Sequence, residues 1–173
     1  MGAGERAPGR RARLLTGVGV GVVGEGRTRH DDDEGGRGGL KPGSRFVVMG
    51  DQNSDPHDVD SWPGAIQQLL EHPQVQDPQP ASAGGLEAAA RQGGANLRHL
   101  SDPAYDTADF NDDPAPGNLR ADYVLPSKNL RVLDAGVWWP APGEPGAELT
   151  GEYPFPTSDH RPVYIDIAIA VHR

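Results

Sequence analysis

Residues 46–55 read Phe46-Val47-Val48-Met49-Gly50-Asp51-Gln52-Asn53-Ser54-Asp55. Three apolar residues, two of them β-branched, run into Met49-Gly50, the pattern of a buried strand that ends at a site. Gly50 lets the backbone turn or a ligand approach closely. Asp51 and Asn53 stand two apart, so in an extended segment their side chains share one side. One is an anionic acceptor and the other a neutral donor and acceptor. An ordinary Asx turn is an equal reading of this stretch. An EF-hand loop is excluded, because its sixth and twelfth positions would be Pro56 and Trp62 rather than Gly and Glu. Gly-Asp-x-His and Gly-Asn-His, the strings of many metallophosphatases, do not occur.

Working outward, 173 residues give room for one domain. Charge divides the chain in two. Residues 1–45 carry nine basic and six acidic side chains, whereas residues 46–173 carry seven and nineteen, a balance of −12. A body so acidic lacks the basic face that phosphate-tracking nucleic-acid binders present. Carboxylates do suit divalent cations. With no cysteine, disulfides, thiolate metal sites and a thiol nucleophile are excluded. The 24 glycines and 17 prolines make loops abundant.

Residues 1–45 read as a low-complexity, disordered leader. Arg10-Arg11-Ala12-Arg13 ahead of a glycine-diluted apolar run, Leu14–Val23, has the outline of a secretory signal. Export and a cytoplasmic location both stay open. The acidic run Asp31–Glu34 reads as a solvated segment, with His30 beside it as a minor metal candidate. No run of 18 apolar residues occurs, so no membrane span is expected.

Beyond the central strand, Asp60 or Ser61 can cap a helix with Pro63 at an early position. Ala65, Ile66, Leu69 and Leu70 form its core stripe, and Pro73 ends it. Residues 77–118 read as a long loop with a short helix at Leu86–Arg91, ended by Gly93-Gly94. Within it, Tyr105, Asp106, Thr107, Asp109 and Phe110 could line a substrate, although a surface loop is favoured. His57, His72 and His99 are expected to be exposed. A strand over Leu119–Ser127 carries Asp122. A carboxylate there is costly to bury alone, so it requires a partner. Leu130–Trp139 is a further strand, with Trp138-Trp139 as packing. From Val163 the β-branched residues fall on odd positions, marking a half-buried strand. Asp159-His160 stands just before it.

Gly50-Asp51-Gln52-Asn53, Arg120-Ala121-Asp122-Tyr123-Val124-Leu125 and Ser158-Asp159-His160-Arg161-Pro162 occur in this order. Together they resemble the C-terminal motifs of the endonuclease/exonuclease/phosphatase superfamily, which includes deoxyribonuclease I, abasic-site endonucleases and inositol-phosphate phosphatases. The resemblance covers about residues 36–170. It implies an α/β (α+β) chain, a four-layer α/β/β/α sandwich of the deoxyribonuclease I-like type that cleaves phosphoesters with Mg²⁺, or with Mn²⁺ or Ca²⁺. By the same resemblance Asp51 would orient or deprotonate the attacking water and Asn53 would donate to the phosphoryl oxygens. His160 would contact the scissile phosphate, Asp122 would hold its imidazole, and Asp159 would lie at the metal. The family's N-terminal half carries an Asn, a metal-binding Glu on a strand and a His or Tyr region. None has a candidate before Phe46, so that half of the sandwich is expected to be absent and residues 46–173 to form a partial domain. The first functional expectation is thus a metal-dependent phosphoesterase acting on small phosphate esters in preference to duplex nucleic acid. The alternatives are an inactive truncated remnant that binds metal or a partner, and an acidic calcium-binding module.

Overall fold

A computed structural model describes residues 40–58 and 61–168. The leader expected over residues 1–45 therefore lies almost wholly outside the described residues, as do His30 and Asp60. Strand β1 (Val47–Asp51) pairs antiparallel with β2 (Asp122–Pro126), Val47 opposite Pro126 and Asp51 opposite Asp122. Strand β3 (Arg131–Val137) pairs antiparallel with β4 (Val163–Ala168), with an irregular register between Val132 and Asp134. Each of these two-stranded sheets packs against one helix. The content is mixed α/β.

Against the first sheet lies α1 (Gln67–Leu70), a single turn preceded by the turn residues 63–66. Its apolar stripe behaves as the spacing predicts. Ala65, Ile66 and Leu69 are buried with Val75, Tyr123 and Leu125, and Phe46, Val48 and Leu70 pack onto them. Ser61 does not cap the helix. Its hydroxyl instead accepts the Asp55 N–H at 2.7 Å.

The expectation of a buried β1 is corrected here. Met49 is 66% exposed, and the strand loses cover toward Asp51. Among the described residues β1 pairs with β2 alone, and only the Val48 side faces the core. The buried strand is β2, in which Tyr123, Val124, Leu125 and Pro126 are all inside.

On the second sheet sits α2 (Ala83–Gln92). Ser82 caps it by accepting the Gly85 N–H at 3.1 Å, and Gly93 ends it at φ 68°. Ala88 packs with Val137, Trp139 and Val163. Gly84 permits this approach: its N–H donates to the Trp139 carbonyl, and a Cβ there would lie 2.2 Å from that oxygen. A short helix, α3 (Ala147–Thr150), follows β3. In β4 the predicted alternation holds, with Ile165 and Ile167 half-buried and Tyr164 and Asp166 exposed. No helix among the described residues is long and apolar enough to cross a membrane.

Much of the segment expected as a surface loop is interior. Asp106, Thr107, Ala108 and Asp109 are all buried. Asp106 is 1% exposed, and its Oδ2 has no hydrogen-bond partner among the described residues. Burial, with the charges of Asp55, Asp58, Asp102 and Asp109, pushes its carboxyl up to about 8. That lies above the unfolded value near 3.9, so folding favours the neutral acid. The contribution of Asp106 to stability is then greatest in acid, falls as pH rises from about 4 to about 8, and is flat above that. Asp106→Asn should raise the unfolding free energy at pH 8.5 by on the order of a few kcal/mol and flatten this slope, as read from urea midpoints at pH 4, 6 and 8.5.

Candidate active site

The site forms where both sheets meet one short extended segment, residues 107–109. Ala108 bridges to Leu119 on one side and to His160 on the other. Thr107 and Ala108 donate to the Leu119 carbonyl, each at 3.0 Å, and Leu119 returns a bond to Ala108 at 3.1 Å. On the opposite edge Arg161 N–H donates to the Thr107 carbonyl, and Asp109 N–H to that of Asp159, both at 2.8 Å. Three residues of backbone thus fix the entry to β2 against the entry to β4. Asp122 and His160 come together although they are 38 positions apart.

His160 Nδ1–H donates to Asp122 Oδ2 at 2.8 Å. The Thr107 hydroxyl donates to the same oxygen at 3.0 Å and accepts the N–H groups of Ala121 and Asp122. The partner that burial demands of Asp122 is therefore double. Burial opposes protonation of His160. The hydrogen bond and charge of Asp122, with Asp51 and Asp159, outweigh it and raise the imidazole above its usual range.

Asp51 closes β1 directly opposite Asp122. Its Oδ1 accepts the Asn53 N–H at 2.7 Å, and Asn53 adopts φ 46°. The Asx-turn reading of this stretch is correct. It does not displace the functional one, because Asp51 and Asn53 both line the same cleft as His160. The cleft has a volume of about 500 Å³, within the range of small-ligand sites. Asp159 also lines it, so all the predicted site residues except Asp122 border the cavity, and Asp122 stands behind His160. One ligand atom from each of Asp51, Asp122 and His160 can be chosen so that all three lie within 4.8 Å of one another.

Of the five loop residues considered as substrate contacts, Asp109 and Phe110 reach the cleft and the other three do not. Asp109 is committed elsewhere. Its carboxylate accepts Gln92 Nε2 at 2.7 Å and Arg161 Nη2 at 3.1 Å. Arg161 is 2% exposed, lies over the rings of Trp139 and Phe155 at 4.6 and 5.1 Å, and donates to the Ser158 carbonyl. In the Ser-Asp-His-Arg-Pro string the arginine is thus the anchor that seats His160.

Two supporting residues were not singled out in the sequence. Buried Asp55 accepts the N–H groups of His57, Asp58 and Arg120, tying the loop after β1 to the start of β2. Asp58 accepts from Leu100 and Ser101 in the same manner. Their only signal is the richness in Asp of a turn-prone stretch. Among the histidines expected to be exposed, His57 is. His72 and His99 are partly buried, bonded to Gln74 N–H and the Pro116 carbonyl respectively.

A family model described as Endonuclease/Exonuclease/phosphatase family matches residues 6–160. The chain belongs to this family. Its members hydrolyse phosphoester bonds and generally depend on a divalent metal. The match contains Asp51, Asn53, Asp122, Asp159 and His160, and begins within the stretch read as a leader. Comparisons with curated proteins and with solved structures gave no match.

A direct check on the site is the titration of His160 by NMR. The wild-type imidazole should titrate above about 6.5, and Asp122→Asn should bring it to that value or below.

Proposed function

We propose that this chain is a metal-dependent phosphoesterase, with the partial domain over residues 46–173 taking its place in a four-layer α/β/β/α sandwich and residues 1–45 as a leader. One observation carries the reading. The hydrogen-bonded series Thr107–Asp122–His160 stands beside Asp51 in a cleft of ligand size.

The chemistry follows from the atoms. With Nδ1–H held by Asp122, the imidazole aims Nε2 away from that carboxylate. Protonated, Nε2–H donates to a phosphoryl oxygen, and the raised pKa extends the pH range of that form upward. Asp51 is exposed at a strand end and has an oxygen to spare for a water, which it orients and deprotonates. Asn53 supplies a neutral amide donor to the charge that develops on phosphorus-bound oxygens. Hard divalent cations take carboxylate oxygen. The donor set fits such an ion, with Asp159 on the cleft lining as its holder beside the Asp51, Asp122 and His160 group, and when bound it would offset the anionic charge of the phosphoryl group. Mg²⁺ is the expected ion, with Mn²⁺ or Ca²⁺ as substitutes. The surplus of carboxylates over residues 46–173 favours small phosphate esters over duplex nucleic acid.

A second reading is a remnant that binds metal without turnover. It draws on the absence of any glutamate from the cleft lining among the described residues. Hydrolysis of bis-p-nitrophenyl phosphate with Mg²⁺ or Mn²⁺ separates the two. A phosphoesterase loses about 10²–10⁴-fold in rate on Asp51→Ala or His160→Ala. A remnant shows no wild-type hydrolysis, while Mn²⁺ still raises its melting temperature in a manner that depends on Asp51.

A further inference from the structure

The cleft has both ionic and apolar lining. Phe110, Pro116, Leu119, Ala121, Tyr153 and Phe155 line it together with the carboxylates. The Phe110 ring meets His160 edge-on, with centroids 5.5 Å apart and planes at 78°. The apolar wall therefore begins at the imidazole itself. Tyr153 and Phe155 form a second edge-to-face pair at 6.1 Å, and Phe155 is pinned from behind by the Arg161 guanidinium. Tyr153 is 82% exposed. Its ring, braced edge-on by Phe155, is open to a ligand in the cleft.

From this wall we infer that the cleft selects phosphoesters whose second group is a planar ring, an aryl or nucleobase, with Phe110 and Tyr153 as the ring-binding residues. The inference rests on the phosphoesterase reading for where the phosphate sits, next to His160. A substituent on that phosphate lies within reach of Phe110. Flat π-systems gain from aromatic neighbours through offset or edge contacts. The rings of that wall offer a polyol no hydrogen-bond partner. A volume near 500 Å³ has room for a phosphate together with a ring system.

The test uses binding, so that turnover is not needed. Phenylphosphonate and methylphosphonate share a non-hydrolysable C–P head and differ in the ring. Both are titrated by NMR against the full chain with Mg²⁺, wild type and the Tyr153→Ala and Phe110→Leu variants. The expected result is a wild-type preference for phenylphosphonate of about tenfold, cut to about twofold or less in each variant. Tyr153→Ala is the safer variant, since an exposed side chain contributes little to the core. Equal affinity for the two phosphonates, or a preference that survives both substitutions, overturns the inference. Loss of bis-p-nitrophenyl phosphate hydrolysis with the ring preference intact would overturn the phosphoesterase reading instead, leaving ring recognition standing.

Discussion

The arrangement depends on the backbone pairing of residues 107–109 between Leu119 and His160. Neither two-stranded sheet places the Asp122–His160 pair by itself. Asp122 belongs to the first and His160 to the approach of the second. Five backbone bonds along one short segment set their separation, and the Thr107 hydroxyl then fixes the rotation of the Asp122 carboxylate. Because the segment is buried, each bond it lost would leave a polar group without water to replace the partner, a cost of about 1–3 kcal/mol. Geometry at the site is in this way tied to the stability of the whole.

The charge pattern shows the opposite tendency. Asp51 faces Asp122 across the β1–β2 pair, a like-charge cross-strand contact that disfavours folding. Three further carboxylates, Asp55, Asp109 and Asp159, border the cleft that Asp51 lines. His160 answers part of this repulsion, which is why its proton is held more firmly than usual. The remainder is the concentration of negative oxygen that a divalent cation would neutralise. Behind the site, Arg120 and Arg161 stay paired with Asp77 and Asp109 and so are not spare cations for substrate. On the proposed reading, affinity for an anionic substrate comes from His160, Asn53, a metal and the apolar wall.

Several of these features were legible in the sequence. β-Branched runs and period-two alternation located all four strands, and Ser82 and Gly93 bound a helix that overlaps the one expected at Leu86–Arg91. Asp122 announced a partner because a lone carboxylate in a strand is expensive. The burial of β1 was misjudged, since Phe46-Val47-Val48 reads as interior whether one face or two are covered. Thr107 was noticed for the wrong role: its value lies in bonds to residues 14 and 15 positions later, which no local pattern encodes. Asp55, Asp58 and Arg161 act over 42 to 65 positions, beyond any periodicity. The segment 105–110 looked like a surface loop because it is polar. Residues 106–109 are buried because Thr107 bonds to Asp122 at the head of β2 and Asp109 bonds to Gln92 of α2 and to Arg161, while Asp106 is held as the neutral acid.

Native-state hydrogen exchange is the most direct test of the claim that residues 107–109 join the two halves of the site. The amides of Ala108, Leu119 and Arg161 lie on the two edges of that segment. Joined as described, they open together and show opening free energies equal within about 1 kcal/mol. Protection of Ala108 and Leu119 with free exchange at Arg161 would mean that the approach to β4 is not held, and that the Asp122–His160 pair is not fixed by the fold.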